Sequence, residues 1–91
     1  MNVVEKKVLS EYFEAILSGE KTFELRLADW SCERGDFLML NEVDDSGNLT
    51  GRSIRKQVGT VIRTKELDFW PKEEIDKHGY QIISLLDEDK L

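Results

Sequence analysis

The chain has 91 residues, 40% of them apolar and 35% charged, with 13 basic and 19 acidic side chains and a formal charge of −6. That length holds one small domain, 1–91, able to bury only about 60–65% of the surface its unfolded chain exposes, and the charge excludes a protein that coats nucleic acid or membrane through bulk electrostatics. A single cysteine, Cys32, and a single histidine, His78, exclude an internal disulfide and an ordinary structural zinc site, and no apolar run reaches the ~20 residues of a membrane helix. The N-terminal MNVVEKKVLS lacks the long apolar core of a signal peptide, so a cytoplasmic location is expected, with no metal and no cofactor.

Val3 to Leu9 reads as a first strand. Ser10 is placed to cap a helix, Glu11 favours its dipole, and Tyr12, Phe13, Ile16 and Leu17 recur at helical spacing. Gly19 is placed to close that helix in a left-handed conformation, giving Ser10–Ser18 as one short amphipathic helix. Lys21–Leu27 alternates, with Phe23, Leu25 and Leu27 on one face and Thr22, Glu24 and Arg26 on the other, and reads as a strand. Arg34-Gly35-Asp36 is a turn before a strand at Phe37–Val43, whose unbroken apolar start suits a strand covered on both faces. Asp44–Asn48 reads as a hairpin loop. The returning strand spans about Ile54–Arg63, with Gly59 marking a bulge or bend. Lys65–Gly79 is mostly loop, with a helical turn over Pro71–Lys77, and a last strand follows at Tyr80–Leu86. The predicted core is Phe13, Ile16, Phe23, Leu25, Leu38, Leu40, Val58, Ile62 and Ile82. The pattern is α+β, mainly β, and favours a small, strongly bent sheet or barrel over a sandwich.

Charge is unevenly spread. Thr50–Lys65 carries Arg52, Arg55, Lys56, Arg63 and Lys65 and no acid, between two acidic flanks. These cations either pair with the flanks as a solvated face or form a track for phosphates. The densest chemistry lies in Gly19-Glu20-Lys21-Thr22-Phe23-Glu24-Leu25-Arg26, where an ammonium, a carboxylate and a guanidinium follow the end of a helix. Such a group can orient a cation, take a proton or bind an anionic or carbonyl-bearing ligand; equally, it can be a cross-strand ion-pair ladder. Trp30 and Trp70 are each either packed rings or stacking platforms. A Cys32–His78 nucleophile pair would need two distant loops to meet.

The run Gly-x-Lys-x-x-Glu-x-Arg after a short helix resembles the hallmark of the ASCH domain, a member of the PUA-like superfamily. The chain is most similar to a small bacterial and phage ASCH-like branch, in Glu11-Tyr12-Phe13-Glu14-Ala15-Ile16, Gly19–Arg26, Gly35-Asp36, Thr50-Gly51-Arg52 and Gly79-Tyr80, in order from about Leu9 to Leu86. The resemblance implies a small PUA-like β-barrel with one N-terminal helix after the first strand. It also implies an RNA-binding module whose cleft is lined by Lys21, Glu24 and Arg26. One enzyme branch of ASCH proteins hydrolyses the acetyl amide of acetylated cytidine, with a lysine at the Lys21 position and a threonine nucleophile three residues later. Here Glu24 stands in that threonine's place, and a carboxylate cannot replace a hydroxyl nucleophile without a change of mechanism. At Asp29-Trp30 the close relatives usually carry Asp followed by a basic residue.

Three functions follow as expectations. The first is binding of RNA, a nucleotide or a modified nucleoside through Lys21, Glu24, Arg26, Arg52, Arg55, Arg63 and Trp30. The second is a small amidohydrolase on a modified nucleoside such as acetylated cytidine, with Lys21 and Glu24 as catalytic candidates. The third is a protein-interaction accessory domain without chemistry. A monomer or weak dimer with no membrane partner is expected.

Overall fold

The structure, a computed structural model, describes residues 1–78. Strand β1 (Val3–Leu9) runs directly into helix α1 (Ser10–Leu17). Strands β2 (Phe37–Val43) and β3 (Leu49–Gln57) follow, then a turn of 3-10 helix at Thr64–Glu66 and helix α2 (Lys72–His78). The sheet order is β1-β2-β3, with β1 parallel and β3 antiparallel to β2. The parallel pair requires a crossover, and α1 with the long segment behind it supplies one.

Among the described residues this is a small three-stranded mixed sheet with two short helices, and it is not closed into the expected barrel. Closure needs the two edge strands to bond to each other, whereas β1 and β3 lie on opposite sides of β2. Two expected strands account for the difference. Lys21–Leu27 runs without joining the sheet, and β3 ends at Gln57 instead of continuing to Arg63. The last expected strand, Tyr80–Leu86, and the expected core residue Ile82 lie outside the described residues.

Register explains the core. Val4 pairs with Leu38, Lys6 with Leu40 and Val8 with Glu42, while Leu38 pairs with Lys56 and Leu40 with Ile54. Side chains alternate along a strand, so these positions share one face, onto which α1 lowers Phe13 and Ile16. Val8, Phe13, Ile16, Leu38 and Leu40 form the buried cluster, with Val4, Trp30, Ile54 and Val58 packed around it. Leu25 and Ile62, expected inside, are exposed, and Phe23 is only half-buried. Their segments leave the sheet, so strand alternation no longer dictates their environment.

Two local devices set the frame. Gly19 has φ +84° and ends α1 as its N–H bonds back to the Ile16 carbonyl at 3.1 Å, which turns the chain toward Lys21. The expected bulge at Gly59 is instead at Gly51, with φ +92°: Asn41 pairs with Ser53 and Val43 with Leu49, so β3 takes four steps where β2 takes two. Ser10 is not the helix cap. Leu9 holds that position, and the Ser10 hydroxyl instead donates to the Val43 carbonyl at 3.1 Å, tying the start of α1 to β2.

Candidate functional site

The segment after Gly19 brings Lys21, Glu24 and Arg26 together. Lys21 Nζ donates to Glu24 Oε1 at 2.9 Å and to the Phe23 carbonyl at 2.7 Å. Arg26 Nε donates to Glu24 Oε2 at 2.9 Å, and its Nη2 to the Lys7 carbonyl at 2.8 Å. Glu24 therefore stands between two cations with one oxygen committed to each. All three side chains are largely shielded, at 15% exposure for Lys21, 19% for Glu24 and 29% for Arg26. The expected alternation does not hold here: Lys21, Glu24 and Arg26 are half-buried along with Phe23, and Thr22, Leu25 and Leu27 are the exposed ones.

These three residues line an open cleft of about 370 Å³. Its apolar lining includes Ile16, Leu38 and Leu40 from the core face, with Phe23 and Trp30 from the crossover. The segment after β3 adds Val58 to Arg63, and β3 itself adds Lys56 and Gln57. Among the described residues, Lys21, Arg26, Lys56 and Arg63 are the cations of the lining and Glu24 is its one carboxylate. Arg63 Nη2 donates to the Cys32 carbonyl at 2.9 Å, which ties the loop after Trp30 to the far side of the cleft. Trp30 packs against the core and also lines the cleft, with Lys6 Nζ 4.0 Å from its ring centroid.

Arg52 and Arg55 are not part of this cleft. Arg52 Nε and Nη2 each donate to a different oxygen of Glu42 at 2.7 Å, and Nη2 also bonds Glu14 of α1. Thr50 Oγ1 donates to the same Glu42 at 2.6 Å. The Gly51 bulge makes this possible by turning both Thr50 and Arg52 toward one carboxylate. Glu42 is buried, and the hydrogen bonds from Arg52, then Thr50, hold its carboxyl down at about 2 against the opposing effect of burial. The same contacts with Glu42 and then Glu14 raise the Arg52 guanidinium above its ordinary value. Arg55 lies on the opposite face of the sheet, its Cζ 3.8 Å from the Phe37 ring centroid. The expected phosphate track along β3 is therefore interrupted: strand alternation separates Arg55 from Arg52 and Lys56, and Arg52 is occupied by two acids.

Sequence reasoning passed over Glu42 and named Lys56 only among the cations of the basic segment. Their signal was parity: both fall on the Leu38–Leu40 face once the register is known. Cys32 lines the cleft, but His78 Nε2 lies 3.6 Å from Glu74 on its own helix, and no Cys–His pair forms. Trp70 is exposed and meets Phe69 edge-to-face at 5.5 Å between centroids. No helix among the described residues is long and apolar enough to cross a membrane.

Residues 3–84 match the profile of a family described as a domain of unknown function, DUF3850, and the chain belongs to that family. No curated protein and no solved structure matches the chain.

Proposed function

We propose that the protein is an ASCH-like module that binds RNA or a nucleotide-like ligand in the cleft beside α1, and that it works in the cytoplasm. The observation that carries this reading is the sign of the lining: among the described residues, four cations face one carboxylate in a protein of charge −6. Low-dielectric walls focus such a local field, so the cleft attracts an anion that the rest of the surface repels. Trp30 and Phe23 add aromatic surface suited to a base. Glu24 has both oxygens engaged by Lys21 and Arg26, which fits a residue that positions donors better than one that attacks or takes a proton.

The test is a titration of ribonucleotide oligomer pools, free nucleotides and free nucleosides at low salt, with Lys21→Ala in parallel. Binding is expected, weakened at least tenfold by Lys21→Ala. Absence of any binding, together with amide hydrolysis of acetylated cytidine that Lys21→Ala abolishes, would replace this reading with the hydrolase one.

A further inference from the structure

We infer that the cleft recognises a nucleoside carrying a phosphomonoester, either a free mononucleotide or the phosphorylated end of a strand, in preference to the interior of a strand. This rests on the nucleotide-binding reading above and narrows its ligand. Three observations carry it.

The first is where cations remain available. A strand interior needs phosphate contacts repeated along a surface, and β3 was the only stretch dense enough in cations to supply them. Arg52 is committed to Glu42 and Glu14, and Arg55 is on the other face of the sheet over Phe37. Of the other cations of the basic segment, Lys56 and Arg63 line the cleft.

The second is how many donors there are free. The Lys56 side chain enters no hydrogen bond or ion pair among the described residues. Arg63 uses one N–H on the Cys32 carbonyl, and a guanidinium has five. Arg26 spends Nε on Glu24 and one Nη2 N–H on Lys7, which leaves its Nη1 group uncommitted. A terminal phosphate carries about two negative charges near neutral pH and three acceptor oxygens, whereas an internal phosphodiester carries one charge. The excess of cations over the single carboxylate matches the former.

The third is size. About 370 Å³ falls at the low end of small-ligand pockets, about 300–1,000 Å³, which is room for one nucleotide unit.

The experiment is calorimetric titration of the whole chain with the four ribonucleoside monophosphates, the matching nucleosides, inorganic phosphate, and a short oligoribonucleotide with and without a terminal phosphate. Monophosphates are expected to bind at least tenfold more tightly than nucleosides or phosphate alone. Lys56→Gln, at an exposed position that leaves folding intact, should erase that advantage, Arg63→Gln should do the same, and Arg55→Gln should leave it unchanged. The oligomer with a terminal phosphate should outbind the unphosphorylated one; whether it exceeds the free mononucleotide distinguishes strand end from free nucleotide. Equal affinity for nucleotides and nucleosides, or for the two oligomers, overturns this inference and leaves the nucleotide-binding reading standing. Failure of every ligand to bind overturns both. Binding of inorganic phosphate as tight as that of any nucleotide overturns the nucleoside part.

Discussion

Glu42 shows how one carboxylate can be kept charged inside a small core. Burial alone would favour its neutral form, but Arg52 grips both its oxygens and Thr50 adds a hydroxyl, and the balance falls far on the ionised side. Asp36 is held in the same direction, by the backbone N–H of Asn2 and then that of Glu33, at 3.0 and 2.9 Å. Both carboxyls have folded values below their ordinary ones, so both contribute stability that is complete above the ordinary range. For Glu42 that contribution is lost as pH falls from about 4.5 through about 2. Chemical denaturation followed across this range should show stability falling steeply toward acid. Glu42→Gln, which keeps the shape and removes the charge, should flatten that slope and lower the melting temperature at neutral pH. An unchanged slope in Glu42→Gln would place the acid sensitivity elsewhere. Glu24 works differently: it joins two cations at the cleft, where Glu42 joins a helix to a strand.

Among the elements, α1 decides most. It is only eight residues long, marginal as an isolated helix, and is held by Phe13 and Ile16 against β1 and β2 and by the Glu14–Arg52 ion pair to β3. Its end at Gly19 then aims Lys21 into the cleft. Phe13 is 1% exposed, so Phe13→Ala should cost about 3–5 kcal/mol. Against a total of roughly 5–14 kcal/mol for a chain this long, that leaves a marginal protein. Phe23 is half-buried at the cleft, and Phe23→Ala should cost only about 1–2 kcal/mol, in keeping with the smaller apolar area it hides. Equilibrium denaturation of the two variants checks the order, and a larger loss for Phe23→Ala would mean that the segment after α1 is a true core strand. The crossover from Gly19 to Asp36 thus forms one wall of the cleft: few of its backbone groups join the ladder, and Lys21, Glu24 and Arg26 turn toward the cleft.

For the whole molecule, net charge and local charge oppose each other. An acidic surface repels a polyanion at long range, and the cationic cleft attracts one only nearby. Affinity for a single-stranded oligoribonucleotide should therefore be modest, and log affinity should fall against log salt with a slope of about −0.7 to −1.4, the value for one or two phosphates. A slope near −3.5, the value for about five phosphates, would restore the track along β3. Much of this was legible beforehand. The spacing of Tyr12, Phe13, Ile16 and Leu17 with Gly19 behind them marks α1 to within a residue, and the apolar run at Phe37 marks β2, because helix period and strand content are local properties. The grouping of Lys21, Glu24 and Arg26 is local too, since all three lie within six residues and two-residue spacing keeps Glu24 and Arg26 on one side of an extended chain. What local pattern could not decide was which extended segments pair. Phe23, Leu25 and Leu27 alternate as a strand should, yet that stretch stays outside the sheet. Pairing is a contest among distant segments for the two sides of β2, and β1 and β3 take both. The fate of the basic segment was likewise tertiary: Arg52, Arg55 and Lys56 read as one patch in sequence, and the pleat, the Gly51 bulge and the buried Glu42 send them to three different places.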